Sequence, residues 1–204
     1  IAVRQGKAEL AESSDEPAAP HTEAMFFGLR PMTDQVTFVI DISGSMSTGW
    51  GTTGHTRYVE AVEQMMRFLQ AAGEQTRFNV ILFSDEPVRS SKKLVPATTR
   101  NLSRARRSLL DREPDGGTHL RPALHQALRL DEGRLDLTKL EADTIVVLCD
   151  GETAEGARWV RPLLAGIADE AQVRIHCVLI GTRGDGTLEA LAEGTGGDFV
   201  RIGG

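Results

Sequence analysis

The chain has 204 residues, 40% of them hydrophobic, and a formal net charge of -6. That length can bury one sizeable core, and the acidic balance argues against a nucleic-acid partner, whose phosphates need clustered Lys and Arg. No apolar run reaches the ~18 residues that span a bilayer, and no charged start with an apolar block resembles a signal peptide. The chain therefore reads as soluble, with no membrane insertion and an open compartment. Its first residue is Ile rather than Met, which reads as a processed product or a piece of a longer protein.

Residues 1–24 cluster Ser, Asp, Glu and Pro with few large apolar side chains, a composition that burial cannot order, and are expected to form a flexible linker or arm. Residues 25–33, opening Met-Phe-Phe, are apolar enough to lie against a domain as a lead-in segment. The domain proper is expected over 34–204. VTFVID is a continuous β-branched run and reads as a buried strand; the segment after it spaces Tyr58, Val62, Met65 and Leu69 as an amphipathic helix does. Arg77 to Phe83 reads as a second buried strand, and the polar stretch from Val88 to Ala97 as a short edge strand.

Helices are expected over 100–111 and 118–130, the second with Leu120, Leu124, Ala127 and Leu128 on one stripe and Pro122 tolerated in its first turn. Apolar strands at 143–150 and 173–181 flank a helical pattern at 157–171. A helix at 187–197 and a strand at 198–202 complete the sequence. Strands apolar on both faces that alternate with helices imply a doubly wound, mostly parallel α/β sheet with helices on both sides. Ligands of such sheets sit beyond the carboxyl ends of the strands.

Oxygen-bearing side chains gather at those ends. Asp41, Ser43 and Ser45 follow the first strand at alternate positions, and on an extended segment that spacing sends all three side chains one way. Asp150 follows the fourth long strand, and Thr118 stands at the start of a helix, where its hydroxyl can cap backbone donors or face the same rim. Two carboxylates and three hydroxyls, without Cys or His, suit Mg²⁺ or Mn²⁺, with Ca²⁺ less suited and zinc disfavoured. An ion held by only two charged groups stays electrophilic and can accept an outside carboxylate, so the set reads as a docking site.

DISGSM, GGT and CDGE, in this order and on these elements, resemble the metal-ion-dependent adhesion site (MIDAS) of a von Willebrand factor type A (VWA) domain. FNVILFSD and LAEGTGG are also family-like, and the resemblance covers about residues 34–204. It implies a Rossmann-like six-stranded sheet of order 3-2-1-4-5-6 with a short antiparallel third strand. It also implies Mg²⁺ bound by Asp41, Ser43, Ser45, Thr118 and Asp150, and a protein partner whose Glu or Asp supplies the last ligand. The lead-in FFGLRPMTDQVTFVIDISGSM is similar to bacterial multidomain members. The implied function is a metal-dependent protein–protein interaction module, adhesive or scaffolding, and not an enzyme. The resemblance further implies a switch in which partner binding exchanges metal contact between Asp150 and Thr118 and pulls on the last helix.

Two alternatives stand beside it: a recruiting or assembly subunit of an AAA+ ATPase, and a metal-dependent hydrolase or phosphotransferase. Against the latter, Ser43 occupies the position where a second acid would favour phosphoryl transfer, and no Walker A loop follows the first strand. Elsewhere, Asp85 and Glu86, at the same rim, read as a solvated acidic turn in preference to supports of the site, Trp50 as locally buried, and His55 and His119 as surface histidines. Arg183-Gly184-Asp185 reads as a chance tripeptide whose Asp caps the last helix, and Cys149 and Cys177 as buried free thiols.

Overall fold

The structure, a computed structural model, describes residues 24–31, 33–130, 138–168 and 173–203. In chain order the first half forms β1 (Gln35–Asp41), α1 (Arg57–Ala72), β2 (Arg77–Phe83), β3 (Pro87–Arg89), β4 (Val95–Pro96) and α2 (Thr99–Leu110). The second half forms α3 (Leu120–Ala127), β5 (Thr144–Cys149), α4 (Val160–Ala168), β6 (Arg174–Ile180), α5 (Thr187–Thr195) and β7 (Phe199–Ile202). The strands make one sheet of order β3-β2-β1-β5-β6-β7, with β4 also on β2. β2, β1, β5, β6 and β7 are parallel, while β3 and β4 run antiparallel to β2. This is the expected doubly wound α/β architecture with its edge strand divided in two. The division has a local cause: the Asn79 amide bonds both the backbone N–H and the carbonyl of Ser91, taking the chain out of the ladder between the two short pieces.

β5 is buried at all six positions and β1 at all but its first, as strands covered on both faces must be. Their alternating side chains feed two cores. Val36, Phe38 and Ile40 pack with α1 and α2 on one face; Val39, Ile145 and Val147 pack with α3, α4 and α5 on the other. The stripe Tyr58, Val62, Met65 and Leu69 of α1 is fully buried. That helix is started by Thr56, whose Oγ1 accepts from the Val59 N–H, and stopped by Gly73 at a φ of 89°.

The lead-in belongs to the first core. Phe26 and Leu29 are joined by a short antiparallel bridge, both are buried, and the Phe26 ring stands edge-on to Phe38 at 5.3 Å. Trp50 is partly buried and packs edge-on against Phe27 at 5.8 Å, so its role is local packing. Of the arm expected over 1–24, only Ala24, which is buried, lies within the described residues. The expected helix end at 171 also lies outside them. α3 is shorter than its sequence pattern, because Leu128 already caps it and Arg129 turns to a φ of 56°. Among the described residues no helix is long and apolar enough to cross a membrane.

Candidate functional site

Asp41 is the last residue of β1 and is wholly buried. The Ser43 N–H donates to its Oδ1 at 2.7 Å, and the Cys149 thiol donates to Oδ2 at 3.1 Å. Burial pushes this carboxyl up to about 6; the bonds from Ser43 and Cys149 pull it back, and the negative Asp150 adds to the rise. Among the described residues no ion pair neutralises it.

Beyond Asp41 the chain does not stay extended. Gly44–Ser47 wind into a 3-10 turn, closed by Met46 N–H to the Ser43 carbonyl and plugged by the buried Met46 side chain. In an extended strand residues two apart are separated by about 6.6 Å; here the Ser43 and Ser45 hydroxyl oxygens approach to 3.1 Å. The alternate spacing thus brings the three oxygens together, through a tight turn and not through the straight strand expected.

Asp150 follows β5 and is also buried. Ser45 Oγ donates to its Oδ1 at 2.6 Å, and Arg57 Nη1 donates to its Oδ2 at 2.7 Å. Thr118 lines, with Ser45, Arg57, Asp150 and Arg183, an open cleft of about 570 Å³. The cap of α3 is His119, not Thr118, so the Thr118 hydroxyl is left to the cleft and makes no hydrogen bond among the described residues. Four of the five expected residues are therefore joined by hydrogen bonds, and the fifth faces the same space.

The loop that carries Thr118 is held by the ends of β1 and β2. Asp115 N–H reaches the Ile42 carbonyl, Gly44 N–H the Gly116 carbonyl, and His119 N–H the Ser84 carbonyl. Asp85, read from sequence as a solvated turn, accepts from the Gly117 N–H at 2.8 Å. Gly116 lies beneath it at a φ of 81°, where an added Cβ would stand 2.7 Å from Asp85 Oδ2. Asp85 is thus a positioning residue. Its signal was present in the sequence, since it follows a buried strand at the same rim.

Arg57 and the thiol of Cys149 were likewise not foreseen as parts of the site. Asp185 does bond the Thr187 N–H at the start of α5, as expected, and it also accepts from the N–H and hydroxyl of Thr153. Burial raises this carboxyl, but the bonds from Thr187 and Thr153 together leave it below its ordinary value. It therefore ties the loop after Asp150 to α5. His119 pairs with Glu155 and His55 with Glu60. Cys149 and Cys177 are free, their strands being registered two residues out of alignment. Among the described residues no group of three His, Cys, Asp or Glu side chains could hold a metal, so any ion would rest on the mixed carboxylate and hydroxyl shell.

A doubly wound sheet with a buried acid and converging hydroxyls at its carboxyl edge defines an α/β binding domain. The profile of the von Willebrand factor type A domain matches residues 36–152, and the chain belongs to that family of protein-interaction modules, whose MIDAS takes a divalent metal. It is 29% identical over 181 residues to inter-alpha-trypsin inhibitor heavy chain H4 of Homo sapiens, covering 86% of this chain and 19% of that protein. It is 32% identical over 133 residues to heavy chain H3 of Bos taurus, covering 63% and 14%. The chain thus spans less than a fifth of these relatives' length.

Solved structures share the fold. A von Willebrand factor type A protein from Catenulispora acidiphila superposes with a TM-score of 0.65 at 19% identity, over 85% of this chain and 40% of that one. Proximal thread matrix protein 1 from the mussel byssus, described with a zinc-occupied MIDAS motif, superposes at 0.60 and 17% identity, over 81% and 40%.

Proposed function

We propose that the rim is a Mg²⁺ or Mn²⁺ site held by Asp41, Ser43, Ser45, Thr118 and Asp150, through which the domain binds a Glu or Asp of a protein partner. The observation that carries this reading is Asp41: a wholly buried carboxylate bonded only by neutral donors, beside a second buried acid. Such an arrangement is costly unless a positive charge compensates it. A bound divalent ion would supply that charge and an electrophilic position open to an outside carboxylate. Ser45, Asp150 and Thr118 line the cleft, and the buried Asp41 and Ser43 would complete the shell. Hard oxygen donors favour Mg²⁺ or Mn²⁺ over the zinc recorded for the mussel protein.

Binding without turnover is part of the proposal. Cys149, the thiol nearest the rim, is buried, and burial together with Asp41 drives its pKa well above the ordinary value, so it stays protonated and is no nucleophile. The bacterial setting implied by the lead-in belongs to this proposal as well. The reading is tested by titrating a panel of Glu- and Asp-bearing peptides onto the Mn²⁺-loaded domain and repeating the titration with a chelator. Binding that disappears on chelation supports it; binding that is unchanged contradicts it.

A further inference from the structure

Arg57 stands where its own helix has no need of a cation. It is the first residue of α1, and a positive charge in a first turn opposes the helix macrodipole. Its side chain is 25% exposed and reaches Asp150, 1% exposed, with Nη1 at 2.7 Å from Oδ2. Ser45 already holds the other oxygen at 2.6 Å, so both Asp150 oxygens are engaged by donors of the chain itself. The guanidinium also lines the cleft that Thr118 faces, with Arg183 as a second positive group.

We propose that Arg57 is a tethered cation that competes with the divalent ion for Asp150, so that metal uptake is weak until an acidic ligand enters the cleft. The proposal rests on the rim being a metal site. Arg57 neutralises Asp150 when the rim has no other cation. A divalent ion on the same carboxylate meets a like charge at close range, where incomplete exposure limits screening. A carboxylate in the cleft removes that repulsion and has two arginines to face. Metal and acid then raise each other's affinity by one and the same factor, as linkage requires. The competition explains why a cation sits at a helix start where it does nothing for the helix.

The test is calorimetric titration of Mn²⁺ into the chelator-stripped wild type, Arg57→Gln and Arg57→Lys, each in acetate and in matched chloride. In chloride, Arg57→Gln should bind Mn²⁺ roughly tenfold or more tightly than the wild type, and Arg57→Lys, which keeps the charge, should stay near it. Acetate should tighten Mn²⁺ binding to the wild type by a clearly larger factor than to Arg57→Gln, which keeps only the direct contact of the acid with the ion. Equal or weaker affinity in Arg57→Gln overturns the competition while the rim stands as a metal site. A wild type indifferent to acetate overturns it too, and that result does not depend on any variant folding. Absence of Mn²⁺ binding in all three proteins overturns both readings.

Discussion

Cys149 donates its thiol to Asp41 Oδ2 over 3.1 Å, joining the ends of the two central strands beneath the rim. The pairing of Ile40 with Leu148 sets these neighbours side by side. With Ser43 N–H on the other oxygen, Asp41 has partners for both acceptors and, among the described residues, no ion pair. Folding thus stabilises its proton, and a cation would have to replace it.

The pH dependence of the chelated domain follows. Asp41 titrates at about 6 when folded, against 3.8 ordinarily. The folded state therefore binds this proton more tightly than the unfolded chain. The stability this provides is fully present below about pH 3.8 and is lost as pH rises through about 6. A gap of about two units corresponds to on the order of 3 kcal/mol at neutral pH. Asp41→Asn removes the loss, so the chelated variant should melt about 6–12 °C above the chelated wild type near neutral pH. At about pH 3.5 the advantage should vanish. Equal melting temperatures at neutral pH are the contrary result.

The same group ties metal affinity to protons, since a ligand carboxylate has to be ionised. Mn²⁺ affinity should be level above about pH 7 and fall by about tenfold per unit below the Asp41 value of about 6. Calorimetry in a series of non-chelating buffers measures the profile. An affinity that stays flat down to about pH 4 contradicts the role of Asp41.

Asp85 should act on the site through the Thr118 loop alone. Asp85→Ala removes the acceptor for the Gly117 N–H, a loss of about 1 kcal/mol, and should weaken Mn²⁺ binding several-fold. Amide exchange at 115–119 should quicken while α1 and β5 keep their protection. Uniform loss of protection would instead mark a global destabilisation.

Phe26→Ala should be costly although it precedes the first strand. Its ring is fully buried against Phe38 and Phe27, and truncation of such a ring costs about 3–5 kcal/mol. Urea denaturation measures the change. A loss below about 1 kcal/mol would place Phe26 outside the cooperative unit.

Much of the fold was legible because burial on both faces leaves a plain mark on β1, β2, β5 and β6, and because α1 carries an unbroken apolar stripe. Asp41, Ser43, Ser45 and Asp150 were legible as a set because each lies at or just past the end of a buried strand. The means by which Ser45 reaches Asp150 was not, since a 3-10 turn and a straight strand share the spacing of two. Arg57 read as one more polar residue of an amphipathic helix, and Cys149 as one more core thiol. Their contacts with Asp150 and Asp41 depend on three-dimensional neighbours that spacing along the chain does not encode. The split of the edge strand hid in a single Asn of β2.

The central claim is that Asp41 needs a divalent cation. The most direct measurement is calorimetric titration of Mn²⁺ into the chelator-stripped domain, with Asp41→Asn alongside. The account predicts binding at about one site per chain in the wild type and its loss in Asp41→Asn, whose fold is intact or more stable. Binding that survives in Asp41→Asn, or a wild type that takes up no metal with or without an acidic peptide, would contradict it.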